Sequence, residues 1–357
     1  MDTAQPSSSS AVSTAAASHW LTRVLKPLRD NNAWNASVKE LLGSNLPIMM
    51  MTASRCEFWD QAINQLGDNF PVFQGGWAID QVVNKALKAV VPQSFQGGRT
   101  AEQQAHFELG KAFILYPLLT SYVVASPLMR NAIMSHVTKK DNFVDLVGLK
   151  NNATVQQEES PEHRQKRLHV EGKTWKTIAG IMGAGVVASI AGFAFTVAGL
   201  QKNKPLPEWM TKRVIQLPFA KQAESIHSLL HLPNGEFKHI TDTALLLSWG
   251  LPSYAGMLMG SRDDLEWKEN MTRAVWFAFA FVAAPHLVEA PLENWLGKQN
   301  NALWGEGKNL VYLGQLATSV GLYSAMPMLA NRLFRRSRAE KSGLLQDNFL
   351  GCLEEQN

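Results

Sequence analysis

The sequence predicts an all-α, polytopic helical membrane protein with four or five transmembrane helices and an N-terminal helical region that is soluble or membrane-interfacial. Three observations point there. Charged residues are only 18% of the 357, against 46% hydrophobic, whereas a soluble domain carries about a quarter charged residues. Charge is missing altogether from five long stretches. Small and aromatic residues fall within and at the ends of those stretches as they do in membrane helices.

The uncharged stretches lie between Lys111 and Arg130, Lys176 and Lys202, Asp242 and Arg262, Arg273 and Glu289, and Lys308 and Arg332. A spanning helix needs about 20 largely apolar residues, with a range of roughly 17–25. Four stretches reach that length. The fourth reaches it only if Arg273 snorkels to the interface and the segment extends back to Met271. The candidate spans are therefore 112–129, 177–200, 243–261, 271–288 and 309–331, inside a membrane domain 111–334. The competing reading is a soluble bundle of buried helices. The mean hydropathy of -0.12 favours it, but that average mixes apolar stretches with a polar N-terminal third and a polar middle.

In the second span Gly185, Gly192 and Gly199 recur every seven residues, and Ala184, Ala188 and Gly192 every four. Small residues on one face let helix backbones approach closely, so the glycine-rich helix 177–200 is a packing surface for another helix, a membrane-protein partner or a second copy. Pro252 lies near the middle of the third span and predicts a kink, because it removes a backbone donor. Trp175, Trp267, Trp295 and Tyr312 suit the headgroup level, while Trp249 and Trp276 read as packing residues.

Orientation rests on positive charge near the segment ends. Arg332, Arg335, Arg336 and Arg338 favour a cytoplasmic C-terminus. Five crossings then place the N-terminal region opposite, although it has no export signal. Four crossings put both ends inside.

The first 18 residues form a Ser/Ala-rich tail, predicted to be disordered. Within 19–110, residues 19–30 and 77–91 are amphipathic, the latter with Trp77, Val82, Leu87 and Val91 on its apolar side. Phe73-Gln74-Gly75-Gly76 and Phe95-Gln96-Gly97-Gly98 form a small repeat that predicts two turns. It lacks a phosphate-loop pattern. Residues 138–175 read as a polar loop and 335–357 as a basic, then polar, C-terminal tail. The basic run 163–169 lacks aromatic interleaving, so membrane lipids are the expected partner and nucleic acid is not. Cys56 and Cys352 form no metal or redox spacing and read as ordinary thiols.

Two sets of side chains could carry chemistry. Glu224, His227 and His231 are spaced to share one helical face, with His239 close behind, enough for a metal site in principle. Pro233 and Asn234-Gly235 interrupt the run, and there is no HExxH, so interfacial histidines are the plainer reading. His286, Glu289 and Glu293 form a possible intramembrane polar site or mark the water boundary. No nucleophile elbow, dinucleotide motif or other cofactor motif is present, so no cofactor is expected. The sequence thus favours a non-enzymatic structural, lipid-interacting or assembly role, with a transporter or channel as the alternative and a metal-dependent membrane enzyme as a distant third.

Overall fold

The computed structural model describes residues 22–28, 30–50, 52, 55–96, 98–140, 142–146, 161–201, 230–280, 284–296, 308–330 and 334. All regular structure among them is helical. The elements are α1 (22–28), α2 (Asn32–Glu40), α3 (Leu46–Met50), α4 (Arg55–Phe70), α5 (Gly76–Val90), α6 (Gln93–Gln96), α7 (Ala101–Thr138), α8 (Phe143–Leu146), α9 (Pro161–Gln201), α10 (Asp242–Leu245), α11 (Leu251–Met259), α12 (Asp264–Ala278), α13 (Ala284–Leu296) and α14 (Lys308–Ala330). Wider π-helical turns, Leu41–Asn45, Pro71–Gly75 and Leu246–Gly250, join α2 to α3, α4 to α5 and α10 to α11.

Two described helices are long and apolar enough to cross a membrane, within Gln103–Thr138 and Arg164–Leu200. The spacing of charges alone predicts four or five. The difference has a physical basis in the third candidate span, where the helical run Asp242–Met259 passes through a π-helical turn, and in the fourth, which starts inside α12, a helix that carries Glu266, Lys268, Glu269 and Arg273 and ends at Ala278. α9 begins at Pro161, so its first 15 residues lie in the stretch read as a polar loop. Arg167 and Glu171 in that stretch are buried and bonded at 2.7 Å.

α7 is the central element. Thr100 and Gln103 close a capping box at its start, each side chain accepting from the other's backbone N–H. From there it runs 38 residues, about 57 Å at the usual helical rise. α9 packs antiparallel along it. Gly185, Gly192 and Gly199 lie in the seam. A Cβ at Gly185 would meet Pro117 O at 2.8 Å, one at Gly192 would meet the Phe113 carbonyl carbon at 2.7 Å, and one at Gly199 would strike the His106 ring.

Prolines inside these helices free carbonyls four residues earlier, and neighbouring elements occupy the vacated positions. Pro71 frees Gly67 O, which accepts from Tyr122 OH at 2.5 Å. Pro252 frees Ser248 O, which accepts from Thr120 Oγ1 at 2.9 Å. Pro117 frees Phe113 O and Pro127 frees Val123 O. Gly192 and Gly256 respectively bring a helix backbone directly against them. Pro252, where a kink is expected, follows closely on the π-helical turn Leu246–Gly250.

Other expectations are corrected. Phe73-Gln74-Gly75-Gly76 is not a turn: it continues the helix through Pro71–Gly75 into α5, with Gly76 against the Phe237 ring. The second copy does turn, with Gly98 at φ 72. On α5, Trp77 and Val82 are exposed, while Asp80, Val83 and Leu87 are buried. The face is rotated because Asp80 pairs inward with Lys111. Tyr312 is buried and donates to Asn35 Oδ1 at 2.6 Å, so it is not a headgroup-level residue. Trp249 packs edge-on between Phe73 and Phe277, as expected of a packing residue. Cys56 is buried and disulfide-bonded, not a free thiol. The chain's other cysteine, Cys352, lies outside the described residues.

Candidate functional site

The site is built on α4. Glu57, Asp60, Gln61, Asn64, Gln65, Asp68 and Asn69 recur at helical spacing on one face, and every one is buried. Trp59, Leu66 and Phe70, on the remaining surface, are 49–66% exposed. α4 thus turns its polar face inward, the reverse of a surface helix in water. Buried polar groups need partners. Those of Asp60 and Asp68 come from α7, from α11 and from Arg262 between α11 and α12.

At one end of the polar face is a charge cluster. Arg262 donates Nη1 and Nη2 to the two Asp60 oxygens at 3.1 and 2.9 Å. Glu266 accepts from Arg130 Nη2 at 2.6 Å, and from Arg262 N, Nε and Nη2 at 2.7–3.0 Å. Two guanidinium groups and two carboxylates therefore balance in a space almost closed to water. Burial alone would raise the Glu266 carboxyl, but Arg130 and Arg262 outweigh it and hold its pKa at about 2. Asp60 and Glu266 push the Arg262 pKa above its ordinary value against the opposing effect of burial. Neighbouring Asp263 caps α12 by accepting from Glu266 N at 3.0 Å, and its other oxygen accepts from Val144 N.

Further along the same face a small gap admits a particle of about water size, between Glu40, Ser44, Gln65, Asp68, Asn69, Ser253 and Arg273. Ser253 Oγ donates to Asp68 Oδ2 at 2.6 Å. Asp68 Oδ1, Glu40 Oε2 and Asn69 Oδ1 are buried without a hydrogen-bond partner. Burial pushes the Glu40 carboxyl up to about 8, with the nearby Asp68 charge adding to the rise and a hydrogen bond to Ser44 opposing it. Burial likewise raises Asp68 to about 6, against hydrogen bonds to Ser126 and Ser253 and the charge of Arg130.

A second buried ion pair lies at the start of the first apolar stretch. Lys111 has no exposed surface and contacts Asp80, Gly235 O and Asn84 Oδ1, the last at 2.9 Å. Arg99 stacks 3.6 Å from the centre of the Phe107 ring beside it. Lys111 and Arg130 bound the stretch 112–129 in the sequence, yet both are sunk into the protein and paired.

Of the first set singled out from sequence, His231 and His239 are described. His231 Nε2 lies 4.0 Å from Glu108 Oε2, and His239 Nε2 lies 3.3 Å from Glu236 Oε2. Each faces its own carboxylate. Glu224 and His227 lie outside the described residues. Among the described residues no group of three or more His, Cys, Asp or Glu is arranged to hold a metal. His286, Glu289 and Glu293 all fall on α13. Glu289 is half-buried and Glu293 exposed, and the His286 side chain is outside the described set. The α4 stripe was missed because a search for uncharged stretches passes over it. Its signal was the polar spacing of three and four from Glu57 to Asn69. Comparison with protein-family models, curated proteins and solved structures finds no match to this chain.

Proposed function

We propose that this chain is a multi-pass integral membrane protein with a non-enzymatic role, a structural, lipid-interacting or assembly component. One observation carries the reading: the outward surface of α9. Gly183, Ala184, Val186, Val187, Ala188, Ile190, Ala191, Ala194 and Ala198 are exposed, and no charge interrupts the helix between Lys176 and Lys202. Val187 and Ile190 are 67% and 63% exposed. Only 22% of the most apolar 18-residue window is buried. A contiguous apolar surface of this kind is costly in water and natural against acyl chains. The inverted α4 supports the same reading. In four or five crossings, α11, α12 with α13, and α14 would join α7 and α9.

Lipids are the expected partner of this surface. Because Gly185, Gly192 and Gly199 are occupied by α7, a second copy or another membrane protein would dock on the outward small residues Gly180, Ala184, Ala188 and Ala191. Alkaline carbonate extraction tests the reading. Retention in the membrane pellet until detergent is added is the expected result, and release as a monodisperse soluble species overturns it.

The buried polar face of α4, which reaches Arg130 at the end of the first candidate span and Ser253 in the third, favours a second reading, a transporter or channel for a small solute, since polar groups beside spanning helices line pathways. Counterflow in proteoliposomes tests it.

A further inference from the structure

Glu40 and Asp68 come from different helices, are 5% and 4% exposed, and line one gap with Asn69, 7% exposed. Glu40 Oε2, Asp68 Oδ1 and Asn69 Oδ1, on three residues that line it, are buried without a hydrogen-bond partner. Isolated orphans of this kind are rare in native proteins, and three on residues of one gap call for a bound species. Each is an oxygen acceptor and two belong to carboxylates, the donor set of a hard cation.

The surrounding charges leave this demand unmet. Arg273 reaches the gap but donates Nη1 to Gln61 at 3.4 Å and Nη2 to Glu269 at 3.5 Å. Its charge is balanced by Glu269, although its Nε is also without an acceptor. Arg130 is balanced by Glu266. Lys39, the remaining buried base on α2, is drawn to Asp242, and Tyr254 beside the gap is neutral. Size selects further. The gap has no room for the water shell that magnesium retains.

We propose that this gap is a binding site for a small monovalent cation, held by oxygens of Glu40, Asp68 and Asn69, with protons competing for the two carboxylates. The site deepens the transport reading and rests on it for its purpose. Binding is measured separately from flux.

The full-length protein, purified in detergent, is melted at matched ionic strength in sodium, potassium, lithium, calcium or choline chloride. Choline is too large to enter. One series is run above pH 8 and one below pH 6, on either side of the Glu40 and Asp68 pKa values. At the higher pH one alkali ion raises Tm over choline by about 2 °C, the size expected near ten times its Kd for a chain of this length. The rise vanishes at the lower pH and in Glu40→Gln and Asp68→Asn. Equal Tm in every salt at both pH values overturns the proposal and leaves water as the occupant, and stabilisation by calcium alone overturns it as well. The wild-type series decides the matter even if neither variant folds. Uptake of the stabilising ion into proteoliposomes is then scored on its own: selective stabilisation without uptake keeps the site and removes the transport reading.

Discussion

Glu266 takes donors from two guanidinium groups while Arg262 also grips Asp60, so two cations and two anions share a space from which water is excluded. Bringing four charges out of water roughly offsets their attraction, but removing one strands the others, at a cost of about 3–5 kcal/mol. Glu266→Gln should lower unfolding stability in detergent by that order, measured by denaturant titration. The pH dependence has a definite sign. With its pKa lowered from 4.5 to about 2, Glu266 binds fewer protons folded than unfolded in that window. Its contribution is present above pH 4.5 and is lost as pH falls through about 2. The variant should lack this acid-dependent loss. Little of the cluster was legible in the sequence. Arg130 and Arg262 stood out only as the ends of uncharged stretches, and Asp60 sits more than 200 positions from the arginine it binds. The spacing of polar residues on α4 was visible, but which side faces inward depends on what α7 and α12 present to it.

Within and between helices, packing depends on backbone groups that proline sets free. Thr120 Oγ1 donates to Ser248 O because Pro252 cannot. Thr120→Val should therefore strand a buried carbonyl and cost about 1–3 kcal/mol. In Pro252→Ala the residue regains an N–H for Ser248 O, so the same threonine change should cost less there. A double-mutant cycle by thermal or denaturant unfolding reads this coupling, and additive losses would refute the assignment. The α7–α9 seam gives a second contrast. Gly192→Val presses a side chain into the Phe113 backbone and should cost about 1–3 kcal/mol or more from overpacking. Gly183→Val, where nothing lies within 4 Å, should leave Tm nearly unchanged. The seam was legible because a seven-residue glycine period fixes one helical face whatever the partner. The partner was not, since it is a property of the folded pair. Charge-free length falls inside α7 and α9 but does not give their extent: α7 runs Ala101–Thr138 and α9 Pro161–Gln201. It does not show the π-helical turn Leu246–Gly250, which lies just before Pro252.

For the molecule as a whole, the question is what solvent surrounds it, and α9 discriminates between the two answers. Val187 and Ile190 point away from α7 with most of their surface exposed. In water, replacing either by a charged residue removes an apolar patch and should leave folding unchanged or improve solubility. In a bilayer the same change places charge near the middle of a spanning helix, which costs about 2.5–3.5 kcal/mol on insertion scales. Ile190→Lys should then lower the fraction of chain resistant to alkaline carbonate, with Val187→Lys doing the same. Arg164→Lys, at the polar end of α9, should have no effect. The interior sharpens the contrast. A soluble bundle would gain by turning the polar face of α4 outward, since Glu57, Asp60, Asn64 and Asp68 are easily hydrated there. Instead those groups meet arginine and serine inside while Trp59, Leu66 and Phe70 face out. On the membrane reading, that arrangement puts the apolar side chains of α4 where the surroundings are less polar than the interior. Carbonate release of the wild-type chain, or unchanged retention of Ile190→Lys, would remove that explanation and leave the inverted helix as a binding face for a protein partner.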